Sequence, residues 1–393
     1  MQIHRAKHIL VSPWHIIENG YIAVVNNTIV DVGSIAAASS HLKSNVIDHG
    51  SGVIMPALLN AHTHFELSAL QGKISFDKGF NNWVRELIKS REECTVGLLC
   101  QKAKEAIDAA ILSGTYFACE ISTLGITKDI FADSDIGGIW FKEYLGSNLI
   151  QNDLAQLSSN KIHKKESIAG HAPHTTSPEL LNVLKKEAKI ANLPFSIHVA
   201  ESTDETEFIT TKKGSWADFL KERGIDTSLW GKSRSPVQHL DDIGLIDNLT
   251  LLIHLINVDT TDIEIIANRQ AKPIFCPRSN FNLHKKLPDI PLFLKYGLKP
   301  ALGTDSLAST ETLNMFDEML YVAKNFPTIN PSEILAMATT NSADALCFSK
   351  IAGTLEKGKI ASFIYLPLDL THKNLSDSII SIIDYRDAQQ INT

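Results

Sequence analysis

Short apolar runs alternate with longer amphipathic segments between about residues 55 and 303 of the chain. This alternation is typical of successive strand and helix units, in which each run is a buried strand rich in Val, Ile and Phe. Eight runs occur: PALLNAHTH (56–64), GTYFACEIST (114–123), GGIWFKEYLG (137–146), SIAGHAP (167–173), LPFSIHVAE (193–201), LTLLIHLI (249–256), AKPIFCP (271–277) and LKPALGTD (298–305). Eight strands that alternate with helices predict an α/β fold with a (β/α)8 TIM-like barrel.

Three of the intervening segments have the apolar spacing of helices. They are Leu98–Leu112, Ser177–Ala191 and Thr261–Arg269. The second opens with Ser-Pro-Glu, which provides a serine N-cap and a proline at the first helical position. No fixed-period repeat or low-complexity segment competes with a barrel.

The two ends of the chain do not have this strand and helix pattern. Residues 1–53 contain short β-like runs punctuated by Gly and Asn, and the tail has a similar stretch at 353–368. The N-terminal runs are His8–Val11, Tyr21–Val25, Thr28–Val32 and Val46–Asp48. Unrelated loops are one interpretation. We favour a small composite β-sandwich domain made of residues 1–54 and 346–393, beside a barrel domain of residues 55–345.

Composition and charge narrow the class of protein. The chain has 393 residues, 37 Lys+Arg against 44 Asp+Glu, and a formal charge of −7. With no run of basic residues, it lacks the electrostatic signature of a nucleic-acid or anionic-membrane binder. Its five cysteines are never spaced C-x-x-C, which argues against a disulfide framework, a zinc ribbon and a redox motif. We find no signal peptide or membrane span and expect a cytoplasmic protein.

Histidines concentrate at the ends of the predicted strands. His62 and His64 end the first run two residues apart, so their side chains point to the same side. His198 ends the fifth run, His254 lies near the end of the sixth, and Asp305 follows the eighth. A single histidine on an apolar run is usually a core residue. As a set at the functional end of a barrel, imidazoles and a carboxylate suit a divalent zinc or iron ion.

Several motifs together resemble the amidohydrolase superfamily over nearly the whole chain. MPALLNAHTHFELSAL is similar to its P-G-[LF]-[IV]-N-x-H-x-H opening, and LGTDS at 302–306 to its eighth-strand G-T-D. HVAE at 198–201 matches the H-x-x-E of the metal-dependent deaminase and chlorohydrolase branch. The tail AGTLEKGKIASFI is similar to the family's closing motif, with Ser362 where Asp is usual. The string HTHFELSAL resembles the branch that includes aminofutalosine deaminases.

This resemblance implies a metal-dependent barrel with a composite β-sandwich. Two-metal members commonly carry a carboxylated lysine on the fourth strand, and the fourth run here has none. Lys142 lies on the third run, where an ion pair or a position outside the barrel is the simpler interpretation. We therefore expect one divalent ion, zinc first and iron second, with the ligands His62, His64, His198 and Asp305.

The resemblance also implies a mechanism. A divalent ion lowers the pKa of bound water to near 7, and Asp305 takes its proton as the water attacks. Glu201 delivers a proton to the ring nitrogen, and His254 aligns the water. The alternative for Glu201 is a solvated carboxylate, because ESTDETE is an acidic stretch.

Five further residues are candidate substrate contacts. His171 matches a histidine that faces substrate in related deaminases, although His174 replaces the usual tyrosine after it. Trp83 corresponds to a pocket tryptophan, or is the core anchor of an amphipathic helix. The set comprises His171, Trp83, Glu143, Arg278 and Asn280, of which Arg278 alternatively forms a structural salt bridge.

We expect hydrolytic deamination of an amino-substituted heterocycle, with purine nucleoside-like substrates first and a homodimer as the assembly. The alternatives are a triazine-type chlorohydrolase and a cyclic amide hydrolase of the same superfamily. A barrel without activity would lack ligands that are all present here. The missing P-C-x-x-C excludes the cytidine-deaminase fold.

Overall fold

The N-terminal segment of the chain forms strands of a mostly antiparallel sheet. This computed structural model describes residues 1–37, 45–147, 162–385 and 389–390. The N-terminal strands are β1 (Gln2–Ser12), β2 (His15–Val25), β3 (Thr28–Ser34), β4 (Val46–Asp48) and β5 (Val53–Pro56). Asn26 and Asn27 join β2 to β3 with φ angles of 48° and 59°. Two central residues with positive φ suit a tight hairpin, which explains the two asparagines.

A second sheet of eight parallel strands follows, in which each strand neighbours the next along the chain. Its strands are β6 (Leu58–Thr63), β7 (Thr115–Ser122), β8 (Gly137–Tyr144), β9 (Lys164–Gly170), β10 (Phe195–Val199), β11 (Thr250–His254), β12 (Lys272–Phe275) and β13 (Ala301–Leu302). The amides of Thr304 and Asp305 donate to the carbonyl of His62 at 3.0 and 3.1 Å, which joins the last strand to the first. Seven of the eight predicted runs contain a whole barrel strand, and the fourth overlaps β9, which begins three residues earlier at Lys164, so the predicted barrel fold is confirmed.

The end of the chain returns to the first sheet through β14 (Phe363–Leu366) and β15 (Gln389–Gln390). β14 lies antiparallel to β5 with Ile364 opposite Met55, and the strand order is β15-β14-β5-β1-β2-β3 with β4 beside β1. Thr28 forms a bridge with Ile360, so the sheet curls back on itself. Both termini therefore contribute to one β structure beside the barrel.

The limits of the two domains stay a prediction. β5 continues to Pro56 and so crosses the expected boundary at residue 54. Residues 38–44, 386–388 and 391–393 of the expected terminal domain lie outside the described residues.

Helices cover the outside of the barrel, and three of them match the three predicted segments. They are α1 (Phe80–Glu92), α2 (Val96–Leu112), α3 (Lys128–Asp133), α4 (Pro178–Ile190), α5 (Thr203–Thr211), α6 (Ser215–Glu222), α7 (Pro236–Asp242), α8 (Thr260–Arg269), α9 (Pro277–His284), α10 (Ile290–Lys295), α11 (Met315–Asn325), α12 (Pro331–Met337), α13 (Thr340–Ala345) and α14 (Leu375–Ile383). Ser177 caps α4 by accepting from the amide of Leu180 at 3.3 Å. In the described part of the chain, none of the helices has the length and apolar character to cross a membrane.

Strand residues alternate between two apolar layers. Leu252 belongs to the core cluster that contains helix residues such as Leu184, whereas Leu251 and Ile253 belong to a cluster with Phe117 and other strand residues. This period of two is the geometry of a strand covered on both faces. It explains why the runs are almost continuously apolar.

Candidate active site

Three histidines converge at the carboxyl end of the barrel strands. The ring of His62 lies 4.8 Å from that of His64 and 4.9 Å from that of His198, measured between centroids. The Nε2 atoms of His64 and His198 are 3.4 Å apart. One nitrogen of each ring falls within 4.8 Å of the other two. The cluster joins β6 to β10, strands on different sides of the barrel.

Asp305 completes this cluster. Its Oδ1 lies 3.6 Å from His64 Nε2 and 3.9 Å from His62 Nε2. Its Oδ2 accepts from the hydroxyls of Ser279 at 2.5 Å and Ser309 at 3.0 Å. The carboxylate is thus held by one oxygen while the other faces the imidazoles.

The chemistry of these donors fits a divalent cation. His62 is completely buried, and neither of its ring nitrogens has a hydrogen-bond partner among the described residues. Burial lowers the pKa of His62 well below its usual value and lowers the pKa of His64 and His198 to about 4. Neutral imidazoles with free lone pairs are what a metal requires. His198 Nδ1 donates to the carbonyl of His171 at 2.7 Å, which leaves Nε2 for the ion.

A seam between β6 and β13 holds two of these groups in register. Asn60 Nδ2 donates to Thr304 Oγ1 at 2.7 Å, and the amide of Thr304 donates back to Asn60 Oδ1 at 3.1 Å. Thr63 Oγ1 donates to the carbonyl of Asp305 at 2.9 Å. These bonds tie the N-x-H-x-H motif to the G-T-D motif, a role that sequence reasoning did not assign to Asn60 or Thr304.

Two buried glutamates brace the backbone just after His64. The Glu120 carboxylate accepts from the amides of Phe65 at 2.7 Å and Glu66 at 3.3 Å. Glu66 in turn accepts from the hydroxyl of Ser122 at 2.5 Å. Sequence reasoning missed both residues, although a charged residue inside the apolar run GTYFACEIST was a usable signal.

Glu201 lies beside the cluster together with two further histidines. Its Oε1 is 3.8 Å from His254 Nε2 and accepts from His284 Nε2 at 3.1 Å. Burial raises the pKa of Glu201, but His254 and His284 together hold it well below its usual range. His254 Nδ1 donates to Asn280 Oδ1 at 2.7 Å, so Nε2 is the ring nitrogen that faces Glu201 and the site. His284 was not among the predicted site residues.

The backbone at this rim adopts strained conformations. Ala200, His254 and Asp305 have φ angles of 53°, 76° and 59°, in the left-handed region that non-glycine residues rarely occupy. Such residues concentrate at functional sites, where the surrounding structure holds them.

Comparisons with known proteins identify the family to which this architecture belongs. The sequence model of the family described as "Amidohydrolase family" matches residues 53–386, which is most of the chain. The chain belongs to the amidohydrolase family.

Curated relatives of this amidohydrolase include deaminases. It is 29% identical to the 5-methylthioadenosine/S-adenosylhomocysteine deaminase of Thermoanaerobacter pseudethanolicus, over 94% of this chain and 85% of that protein. It is 26% identical to the 5'-deoxyadenosine deaminase of Methanosphaera stadtmanae, over 91% and 83% of the two chains. The crystal structure of Helicobacter pylori aminofutalosine deaminase in complex with methylthio-coformycin has a TM-score of 0.85, at 21% identity over 99% of this chain and 98% of that one.

Two predicted substrate contacts of the amidohydrolase lie against the histidine cluster. The ring of His171 is 5.1 Å from that of His198, and its Nδ1 is 2.6 Å from Thr175 Oγ1. Glu143 Oε1 lies 3.7 Å from His198 Nδ1, and its Oε2 accepts from Thr123 at 2.6 Å. The structure therefore brings His171 and Glu143 to the site.

The other three predicted substrate contacts pack against or bond to neighbouring side chains. Trp83 is buried in an apolar cluster with Leu70 and stacks on Phe80 at 5.9 Å. Asn280 is bonded to His254, as described. Arg278 bonds to the carboxylate of Glu311 at 2.6 Å, an arrangement that favours the structural salt bridge. Contact of these residues with a substrate stays a prediction.

Lys142 lies on β8 and donates from Nζ to the carbonyl of Thr123 at 2.5 Å. It is not part of either group of side chains in the described residues that could hold a metal ion.

Proposed function

We propose that this amidohydrolase removes the amino group of a purine nucleoside-like heterocycle as ammonia, by hydrolysis. The observation that carries the proposal is Glu201 and His254 placed together beside the cluster of His62, His64, His198 and Asp305. A carboxyl that can protonate a ring nitrogen is what deamination of an aromatic amine needs, and amide hydrolysis does not need it. The names of the curated relatives point the same way, since they are deaminases of adenosine-type compounds.

The cofactor we propose is one zinc ion held by His62, His64, His198 and Asp305. Bound there, a divalent ion supplies a water whose pKa is lowered to near 7. Three imidazoles and one carboxylate are a typical donor set for zinc. A single ion is favoured because Lys142 is hydrogen-bonded to the carbonyl of Thr123, and the two lysines of the fourth barrel strand, Lys164 and Lys165, lie at its N-terminal end, opposite the end that carries the histidines.

The chain's own groups divide the proton transfers among themselves. Asp305 Oδ1 faces the cluster and takes the proton of the attacking water, while Oδ2 stays bonded to Ser279. Glu201 passes a proton to the ring nitrogen, which makes the amino-bearing carbon electrophilic. His254 aligns the water through Nε2, because its Nδ1 is bonded to Asn280. The C–O bond forms, and Asp305 passes the water proton to the amino group, which leaves as ammonia when the C–N bond breaks. The proton left on the new C–O oxygen returns to Glu201, so both carboxyl groups regain their starting states.

Substrate binding is proposed at the same rim. His171 and Glu143 lie against His198 and can hydrogen-bond a heterocycle or its sugar. Trp83 offers an indole face, and Arg278 and Asn280 complete the set expected from the sequence. A cytoplasmic location and a homodimer belong to the proposal as well.

The test is an ammonia-release assay on the purified, zinc-loaded enzyme. The panel contains 5'-methylthioadenosine, S-adenosylhomocysteine, 5'-deoxyadenosine, aminofutalosine, guanine and a chlorotriazine, with chloride measured in parallel. We expect ammonia from at least one nucleoside, near one zinc per chain, and loss of activity in Glu201→Gln with zinc retained. Chloride release without ammonia would overturn the proposal, as would full activity in Glu201→Gln.

A further inference from the structure

Helix α9 contacts three of the groups on which the proposed reaction depends. Each contact is a side-chain hydrogen bond: Ser279 to Asp305 at 2.5 Å, Asn280 to His254 at 2.7 Å and His284 to Glu201 at 3.1 Å. The helix has eight residues and follows β12 directly. One short helix therefore holds groups that come from three different barrel strands.

The spacing along α9 explains how it reaches them. Asn280 and His284 are four residues apart, so their side chains lie on one face of the helix. The helix ends at His284, because Lys285 adopts the left-handed conformation with φ 52°. His284 is thereby placed at the rim of the site, and its ring packs on Phe80 with centroids 4.6 Å apart.

Glu201 depends on this contact for the orientation of its carboxylate. Its backbone is fixed by other groups, since its amide donates to Glu205 Oε2 at 2.8 Å and its carbonyl accepts from Asn257 at 3.0 Å. For the carboxylate oxygens, His284 is the hydrogen-bonding side chain among the described residues. His254 Nε2 is farther away, at 3.8 Å.

We infer that His284 is a positioning residue that holds Glu201 in the orientation needed for proton transfer, an inference that rests on the proposed function. The Nε2–H of His284 donates to Oε1 of Glu201, so Oε2 is the oxygen that accepts and donates the proton transferred to the ring nitrogen. Without this bond the carboxylate rotates among several orientations, and only a fraction of bound substrate meets the productive one. The sequence shows no motif for this role. His284 lies four residues after the CPRSN stretch at 276–280 and is not part of it.

His284→Phe tests the inference because it removes the donor and keeps an aromatic ring to pack on Phe80. We expect kcat to fall about 10- to 100-fold while KM changes little, because orientation and not binding is lost. Zinc content and melting temperature should match those of the wild type. The double variant Glu201→Gln/His284→Phe should be within about 2-fold of Glu201→Gln alone, since both changes act on one proton transfer.

The matched control is Phe281→Leu, an exposed position on the same helix, whose kcat should equal that of the wild type. Unchanged kcat in His284→Phe would overturn the inference, as would a change in KM alone or additive losses in the double variant. A melting temperature that falls in His284→Phe but not in Phe281→Leu, with kcat per folded enzyme unchanged, would show a purely structural role.

A second measurement does not depend on activity. In protein with 15N-labelled histidine, NMR should show a slowly exchanging Nε2–H of His284 that disappears in His284→Phe and shifts in Glu201→Gln. Its absence from the wild type would overturn the inference even if the enzyme deaminates nucleosides. If the resonance is present and no substrate yields ammonia, the hydrogen bond stands and the proposed function fails, so the two failures are distinguishable.

Discussion

Two groups of histidines show what separates a candidate metal site from a structural pair. In the terminal sheet, His4 Nδ1 and His49 Nε2 are 3.0 Å apart and bonded to each other, and the His4 ring packs on Phe363. In the barrel, His62 has no hydrogen-bond partner among the described residues at either nitrogen. In the His4 pair one ring nitrogen of each residue is used in their mutual bond, although His4 Nε2 has no partner among the described residues, whereas both nitrogens of His62 are left for a cation.

The two groups of histidines also differ in the carboxylate that lies nearest to them. Asp305 approaches within 4 Å of two imidazoles of the barrel cluster, at 3.6 and 3.9 Å. The carboxylate next to His49 is Asp48, and it is bonded to Arg5 at 2.6 Å. A close pair of histidines is therefore insufficient to indicate a site. Convergence of unpaired nitrogens with an available carboxylate oxygen distinguishes the functional cluster.

The largest expected effect comes from breaking the cluster of His62, His64, His198 and Asp305. Asp305→Asn should lower bound zinc per chain and reduce ammonia release by at least about 10³-fold, because several kcal/mol of transition-state stabilisation is lost. His4→Gln should keep both, as expected for a structural histidine. Metal analysis and the ammonia assay measure the two properties. If Asp305→Asn bound as much zinc and released ammonia as fast as the wild type, the barrel cluster would not differ in function from the His4 pair.

A matched pair of glycine substitutions separates site geometry from general packing. A Cβ on Gly303 would stand 2.7 Å from His62 Cβ, and one on Gly20 would overlap Ile9. We expect each alanine variant to lose about 1–3 kcal/mol of unfolding free energy from overpacking. Only Gly303→Ala should also bind zinc more weakly, because His62 has to move. Urea unfolding and zinc titration test this, and equal zinc affinities in the two variants would count against the seam's role.

His4 should affect the pH dependence of stability rather than activity. Burial lowers its pKa from 6.5 to about 4. The unfolded chain then takes up the proton first, so stability is present above pH 6.5 and is lost as the pH falls toward 4. His4→Gln should reduce the loss between about pH 7 and 5 by about 1–2 kcal/mol. Urea unfolding at the two pH values measures it, and parallel losses in both proteins would refute the assignment.

Lys142 should give the smallest effect. Its Nζ is bonded to the backbone of Thr123 and lies outside the metal cluster. Lys142→Met should therefore leave the zinc content near one per chain and kcat within about 2-fold of the wild type, as is usual for substitutions away from the chemistry. Metal analysis of both proteins is the measurement. Two ions in the wild type and one in the variant would indicate a bridging lysine.

The barrel was predictable because its signal is local. Each buried strand between helices leaves an apolar run, and each of the eight runs overlaps one observed barrel strand. The two ends of the chain were harder, since the pairing of β14 with β5 joins residues more than 300 apart in the sequence. Short β-like runs indicate strands but not which strand they join.

The site was predictable where strand ends and motifs carry it. His62, His64, His198, His254 and Asp305 stand at the ends of the predicted runs, and the structure gathers them. Glu120 and His284 were missed for different reasons. Glu120 is a charged residue in an apolar run, a signal that was present, whereas His284 lies in a helix whose local pattern contains nothing unusual.

The sequence by itself determined the strand and helix order, the family resemblance and the residue types that can bind a divalent ion. These properties depend on neighbouring residues and on short motifs, so the order of residues alone is enough to predict them. Only the tertiary structure decided which nitrogens are unpaired, that Arg278 is held by Glu311, and that one helix reaches Asp305, His254 and Glu201. Those facts depend on distances between residues far apart in sequence, which are set when the barrel closes.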